Sequence, residues 1–534
     1  MDKLKPKLFS VMKNYTKEQL VKDVVAGIIV AIIALPLSIA LAIASGVGPE
    51  AGIYTAIVAG FLVSFFGGSR VQIAGPTAAF ATIVAGIVVK DGTEGLMVAT
   101  ILAGLILIIM GLFRFGNLLK FIPYTITTGF TAGIAVTLFI GQIKDFAGIT
   151  YMNGEKPIDT GDKLHALAVN INTFNVQAFL IGLLSLVILI LWPKVSKRIP
   201  GSLIAVVVTA VIVEFANLDV NTIGKAFSDI RTGLPVLTLN KSILSMQMIR
   251  SQLSNAVTIA LLAGIESLLS AVVADSMIGS KHRSNMELIA QGIANIGSAC
   301  FGGIPATGAI ARTAANIKNG GRTPIAGMVH SVSLVIVVVF LMPLAKLIPM
   351  PCIAAILFQV AYNMSGWRGF IKLCKSSPKS DILVLLLTFG LTVVFDLVVA
   401  IEVGIILAAL LFMKRMSEVT EVEGWKEIDD ENDPDSITLR TIPEHTVVYE
   451  ISGPMFFAAA GKILNISFKN DTKVLVIRMR SVNAIDATAM HNLETLADDC
   501  DKKGIRIVLS HVNEQPMTVI KKAGFDKRIG DENF

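Results

Sequence analysis

The chain is short of charge: Asp, Glu, Lys and Arg make up 16% of its 534 residues, where a soluble protein carries about 25%. With 53% hydrophobic residues and a mean hydropathy of +0.70, that deficit excludes an ordinary soluble globular protein. Cysteine is scarce as well. Cys300, Cys352, Cys374 and Cys500 have neither paired spacing nor a metal-ligand pattern, which excludes a disulfide framework and predicts reduced, structural thiols. His165, His282, His330, His445, His491 and His511 are scattered. Without a His/Cys/Asp constellation or a phosphate-cradling glycine loop, no catalytic set emerges, and neither an enzyme nor a cofactor is expected. The formal charge of +6 would suit nucleic acid, but the positive residues cluster between hydrophobic segments, so no nucleic-acid partner is expected.

What the chain does have is apolar sequence. Runs of bilayer-spanning length recur from about residue 24 to residue 413, for example 23–45 and 96–113. This predicts a polytopic α-helical membrane protein of about fourteen spans. After residue 414 the composition turns soluble and acidic. The expected organisation is a cytoplasmic segment at 1–23, a membrane domain at 24–413, a linker at 414–435 and a small domain at 436–534. The leading residues, with Lys3, Lys5, Lys7, Lys13, Lys17 and Lys22, lack the short apolar core and cleavage site of a signal peptide, so the first apolar run reads as a true span. Alternate loops carry Arg114 and Lys120, Lys194 with Lys197 and Arg198, Lys281 and Arg283, Lys318 and Arg322, Arg368 to Lys379, then Lys414 and Arg415. Positive loops stay inside, which predicts both termini in the cytoplasm.

One stretch does not fit a simple span. Phe301 to Arg312 (FGGIPATGAIAR) places glycines, a proline, small polar residues and a charge among hydrophobic segments. Irregular backbone at membrane depth is tolerated only where it is buried in protein or lines a watery cavity. A helix starting there aims unpaired N–H groups and a partial positive charge into that cavity, which makes an anion site. The stretch has an echo. Phe66-Gly67-Gly68 followed by Gly75-Pro76-Thr77 resembles Phe301-Gly302-Gly303 followed by Pro305-Ala306-Thr307, and residues 118–123 resemble 344–349, at offsets of 226 to 235 residues. Duplication of about seven spans explains both, and an odd number inverts the second copy. Paired Gly/Pro-broken segments in inverted repeats point to a midplane site.

The candidate binding residues follow: Thr77, Ala78, Ala79 and Phe80 on one half-helix, and Thr307, Gly308, Ala309, Ile310, Ala311 and Arg312 on the other. Small residues let an anion approach the backbone, and Phe80 and Ile310 fence it. The same small residues also suit close helix packing. Arg312, expected about one turn into its half-helix, is costly at membrane depth; it either raises the potential of the pocket or pairs with a carboxylate such as Glu266. Glu266 lies in an otherwise apolar helix, where a carboxylate can bind a proton or Na⁺, with Ser270 one turn on offering a hydroxyl to such an ion. Ser38, beside Pro36 in the first span, either lines the cavity or bonds its own helix. Lys281-His282-Arg283 reads as a solvated charge run at a helix end.

These residues resemble bacterial members of the sulfate permease (SulP) family. The resemblance rests on 34–40 (ALPLSIA), Ala74-Gly75-Pro76-Thr77, 266–275 (ESLLSAVVAD), 285–295 and 301–313. It implies seven plus seven inverted spans of the uracil-transporter type, divided into core and gate. It further implies substrate between the two half-helices, elevator-like movement, a homodimer in the bacterial inner (cytoplasmic) membrane, and H⁺ or Na⁺ coupling at the position of Glu266. The implied function is secondary active transport of a small inorganic or carboxylate anion (bicarbonate, sulfate or a C4-dicarboxylate). An uncoupled channel or exchanger, or a membrane-anchored signalling platform, are the alternatives. Leu37 and Leu41 stand where many members carry Gln and Tyr, which weakens any transfer of substrate from eukaryotic sulfate-type members. The tail resembles a STAS domain, with strands at 447–451, 474–479 and 505–509 and helices near 457–468, 486–502 and 514–523. Thr488 takes the place of the phosphorylated serine of soluble relatives, so it is a candidate regulatory residue for cytoplasmic partners, and Asp486 is expected to cap the helix.

Overall fold

The computed structural model describes residues 4–116, 123–151, 157, 159–196, 199–227, 233–238, 245–395, 397–424, 442–468 and 471–534. Lys120, Lys197, Arg198, most of the 118–123 echo and the second half of the expected linker lie outside the described residues. The chain divides into two compact units, Met1–Ile405 and Ile406–Phe534.

The first unit is helical. Among the described residues, six helices are long and apolar enough to cross a bilayer: Lys17–Ala44, Pro49–Phe66, Ala78–Leu112, Tyr124–Ala147, Val176–Val195 and Met246–Ile278. Their ends carry ordinary signals. Thr16 accepts the Gln19 N–H at 3.2 Å at the start of the first, and Ser245 accepts the Met248 N–H at 3.2 Å at the start of the last. Gly279, left-handed with φ 62°, ends that last helix. Shorter helices, including Ser284–Cys300, Pro324–Leu341, Met350–Ser365 and Lys379–Val394, complete the unit.

Two groups of helices pack chiefly among themselves. Lys17–Ala44, Pro49–Phe66, Ala81–Leu112, Met246–Ile278, Ser284–Cys300 and Pro324–Leu341 form one, and Tyr124–Ala147, Val176–Val195, Met350–Ser365 and Lys379–Val394 form the other. Small residues set the spacing in the first group. Ala81–Leu112 crosses Ser284–Cys300 at Gly104 and Gly292, where a methyl on either glycine would come within 2.6 or 2.5 Å of the other's carbonyl oxygen. Such close approach is how helices associate where apolar burial offers no net drive.

Inside the first group lie two short strands, β1 (Ala74–Gly75) and β2 (Thr307–Gly308). They pair antiparallel, with Ala74 opposite Gly308 and Gly75 opposite Thr307. A helix follows each: the 3₁₀ turn Ala78–Phe80 running into Ala81–Leu112, and Ile310–Lys318. The second half-helix therefore starts three residues later than a start at Thr307 would give, because Thr307 and Gly308 commit their backbone to β1. Arg312 consequently sits in the first turn, closer to the helix start than the sequence suggests.

The second unit holds a four-stranded sheet in the order β3 (Glu421–Gly424), β4 (Thr446–Ser452), β5 (Val474–Ser481) and β6 (Arg506–Ser510). The last three are parallel, and β3 pairs antiparallel with β4. Alternation in β5 buries Leu475, Ile477 and Met479 completely, against the Ala487–Lys503 helix face carrying Leu493 and Leu496. β3 lies within the stretch expected as a linker; four residues reading Glu-Val-Glu-Gly are too short and too charged to stand out as a strand. Asp486 caps Ala487–Lys503 as expected, accepting the Ala489 N–H at 2.9 Å, while its other oxygen accepts the Phe457 N–H at 2.8 Å.

Candidate functional site

The segment before the second half-helix has no regular structure, so its buried backbone groups need side-chain partners. They find them. The Ile304 N–H donates to Thr55 Oγ1 at 2.7 Å, and Ser298 Oγ donates to the Ile304 carbonyl at 2.7 Å. Asn295 holds both backbone groups of Ala306 at 2.9 Å, and Thr307 Oγ1 donates to the Ala263 carbonyl at 2.8 Å. The segment before the first half-helix is held in the same way. Glu287 accepts the Gly68 and Ser69 N–H groups at 2.8 and 3.0 Å. Thr313 Oγ1 accepts the Ile73 N–H at 3.0 Å, and Asn316 Nδ2 donates to the Val71 carbonyl at 2.9 Å. The first irregular segment is thus fixed by residues of the second half, and the second segment by its own half together with Thr55 of the first.

The helix starts are left open. Neither Ala78–Phe80 nor Ile310–Lys318 has a side-chain cap, since Ala309 has no oxygen to offer and the Thr77 hydroxyl turns elsewhere. First-turn N–H groups without caps carry the positive end of the helix dipole. Ala78, Ala79 and Phe80 are buried, whereas Ile310 is 44% exposed and Ala311 is exposed beside it, so the second start is the accessible one.

Arg312 bridges the two halves. It is 3% exposed, and Nη2 donates to the Pro76 carbonyl at 3.2 Å, across the crossing. Nη1 is buried without a partner. The guanidinium lies over Gly75, where a Cβ would meet Nη1 at 2.2 Å; the Gln72 amide likewise fills the space beside Gly308, where a Cβ would meet Nε2 at 1.8 Å. Both strand glycines are there because polar side chains occupy the room of a methyl. The Gln72 Nε2 donates to Ser267 Oγ at 2.7 Å, while its Oε1 has no partner. A buried charge or amide left partly unpaired costs free energy unless something completes it.

Glu266 lies at the same crossing and accepts from Thr77 Oγ1 at 3.0 Å. Among the described residues no ion pair joins it to Arg312; the guanidinium uses the Pro76 carbonyl instead. Ser270 is buried and donates to Thr313 Oγ1 at 3.4 Å, so it reaches the second half-helix. Ser38 is fully buried and its hydroxyl bonds nothing, its own helix included. Among the described residues no group of three or more His, Cys, Asp or Glu side chains can hold a metal. Lys281-His282-Arg283 is not simply solvated: His282 Nδ1 lies 2.7 Å from Asp275 Oδ2, and Arg283 Nη1 donates to the Lys5 carbonyl at 2.7 Å.

Several partners escaped the sequence reading. Gln72, Glu287, Thr55 and Thr313 act on backbone far away in sequence and Asn295 on Ala306; of these, Glu287, Asn295 and Thr313 fell inside recognised motifs. His330, set aside as scattered, is fully buried on Pro324–Leu341 with neither ring nitrogen partnered.

The sulfate permease family model matches residues 20–388, and the STAS domain model matches residues 436–534. The chain belongs to the sulfate permease family. It is 39% identical over 531 residues to YvdB of Bacillus subtilis (strain 168), provisionally named a sulfate transporter, covering 98% of this chain and 97% of that one. The solved transmembrane domain of a cyanobacterial bicarbonate transporter, BicA, is 31% identical with a TM-score of 0.66, covering 72% of this chain and 98% of its own. The murine Slc26a9 anion transporter in its inward-facing state aligns with a TM-score of 0.86 over 98% of this chain and 90% of its own, at 18% identity, and supports the fold alone. The sulfate permease family and these relatives are membrane transporters, so the chain is a transporter rather than an enzyme, with a polytopic helical domain and a C-terminal STAS domain.

Proposed function

We propose that this member of the sulfate permease family is a secondary active transporter of small anions, coupled to H⁺ or Na⁺ and working by an elevator-type movement. The observation that carries the reading is the partnerless Nη1 of Arg312, buried between two uncapped helix starts. An oxyanion or carboxylate there accepts from Nη1 and from first-turn N–H groups of Ala78–Phe80 and Ile310–Arg312, with Ser38 supplying a hydroxyl from the first span. Small residues at both starts admit the anion to the backbone.

Glu266 accounts for coupling. A carboxylate bonded to Thr77, the residue that opens the first half-helix, places negative charge beside the anion's seat. H⁺ or Na⁺ on Glu266 cancels that charge and favours the anion, and by linkage the anion favours the cation equally. The helix group that carries Glu266, Arg312 and both half-helices is the moving core, and the Tyr124–Ala147 group is the gate. Seven plus seven inverted spans, a cytoplasmic-membrane homodimer and regulation of the STAS domain through Thr488 complete the proposal. Thr488 is exposed in the first turn of its helix, where a phosphate is electrostatically favoured.

Sulfate and bicarbonate, the substrates in the relatives' names, head the list of anions, with C4-dicarboxylates beside them. Uptake of each by proteoliposomes, with and without Na⁺ and at two pH values, tests the reading. The expected result is accumulation of one of them driven by an imposed H⁺ or Na⁺ gradient; equilibration indifferent to both gradients would reject coupled transport.

A further inference from the structure

The cytoplasmic-side end of the first helix group carries a second cationic cavity. The N-terminal arm before Lys17 is strapped to the unit by several bonds. The Lys7 N–H donates to the Gly67 carbonyl at 2.8 Å and Lys7 Nζ to the Lys281 carbonyl at 2.7 Å. Arg283 Nη2 donates to Ser10 Oγ at 3.0 Å, and the Phe9 ring meets Phe65 edge-on at 6.0 Å. Between the arm and the unit is a cavity of about 450 Å³, lined by Lys7, Tyr15, Gln19, Arg70 and Arg322 among others and, among the described residues, by no Asp or Glu. That volume falls within the range of small-molecule sites.

The acid that the lining residues bond is already used. Asp23 is fully buried, and its oxygens accept from Tyr15 Oη at 3.0 Å, Gln19 Nε2 at 2.9 Å, the Arg322 N–H at 2.9 Å and Thr323 Oγ1 at 2.5 Å. Burial, and then Asp23, push the Tyr15 phenol up to about 12, so its proton stays on. The cations are positioned in advance. Arg322 Nη1 is fixed by the Ile317 and Gly321 carbonyls, each at 2.8 Å, and Arg70 Nε is buried with no partner. A planar guanidinium held in place, with a buried donor unfilled, suits a tetrahedral oxyanion.

We propose that this cavity is a second oxyanion site, separate from the transport site, which binds a phosphate group through Lys7, Arg70 and Arg322. Its position gives it a task. Arg70 lies on the segment leading into β1, Arg322 follows the second half-helix, and Lys7 belongs to the arm. A bound phosphate fastens the arm to the irregular segment leading into β1 and to the turn that follows the second half-helix, and so restrains both. The phosphate belongs either to a soluble molecule or to an anionic lipid headgroup.

Hydrogen exchange of residues 4–16 in the full-length protein tests this. One arm adds inorganic phosphate to protein in neutral detergent; the other compares nanodiscs of phosphatidylcholine with nanodiscs containing phosphatidylglycerol. Slower exchange with inorganic phosphate identifies a soluble source, and slower exchange only with phosphatidylglycerol identifies the headgroup. In either case Arg70→Gln should weaken the effect about tenfold, as expected for one charged hydrogen bond, while Lys13→Gln, exposed on the same arm, leaves it intact. Lys7→Gln substitutes if Arg70→Gln does not yield monodisperse protein. The proposal is overturned if neither phosphate source slows exchange, or if Lys13→Gln weakens the effect as much as Arg70→Gln. Loss of the effect in Arg312→Ala would also overturn it, by assigning the phosphate to the transport site.

Discussion

Gly75→Ala should disable anion binding without replacing any residue that contacts the anion through its side chain. A methyl at residue 75 would lie 2.2 Å from Arg312 Nη1, far inside the 3.4 Å at which ordinary contact begins. The guanidinium must retreat by about 1 Å, enough to turn a hydrogen bond of ordinary length into none. Losing one charge-assisted hydrogen bond costs about 1.5–3 kcal/mol, which corresponds to roughly 10- to 150-fold in affinity. The control is Gly141→Ala, where nothing lies within 4 Å of the new methyl. The assay is the apparent KM for uptake of the anion selected by the substrate panel, measured in proteoliposomes. If Gly75→Ala matches Gly141→Ala in KM, the guanidinium is not part of the anion's seat and the reasoning fails.

Other consequences can be checked alongside. Glu266→Gln should abolish the dependence of uptake on an imposed H⁺ or Na⁺ gradient while downhill anion movement persists; unchanged gradient dependence with intact folding removes Glu266 from coupling. Gly292→Val forces a side chain against the Gly104 carbonyl and should destabilise the protein by at least about 1–3 kcal/mol, seen as a lower Tm in detergent than for Gly141→Ala. Asp486→Ala leaves the Ala489 and Phe457 N–H groups without their acceptor and should cost about 1–2 kcal/mol, read as faster hydrogen exchange in the first turn of Ala487–Lys503. Burial first, then Asp501 and Asp499, push the Cys500 thiol up to about 11. Because the folded value is raised, its contribution to stability is intact below the unfolded thiol range and is lost as pH climbs towards 11, and alkylation of Cys500 in folded protein should be slow at neutral pH.

The parts legible in the sequence were those written in local pattern. Alternating Val, Leu and Ile in 474–479 and the Asp486 cap mark the STAS unit, and Gly75-Pro76-Thr77 with 301–312 marks both half-helices. What was not legible depends on contact across the chain. Thr55 and Gln72 are ordinary polar residues until the fold brings each beside a backbone or glycine far along the chain. The start of the second half-helix was misjudged because β1, more than two hundred residues earlier in the sequence, claims Thr307 and Gly308. Asp23 lay at the edge of an apolar run and gave no sign of the donors it gathers from Tyr15, Gln19, Arg322 and Thr323.

The proposed anion seat lies where β1 and β2 pair, held by helix starts and Arg312. Equilibrium binding of radiolabelled substrate to purified protein, wild type against Arg312→Ala, tests it most directly. Saturable binding is expected in the wild type, with affinity lowered at least about tenfold in a folded Arg312→Ala protein. Equal affinity in the two proteins would contradict it.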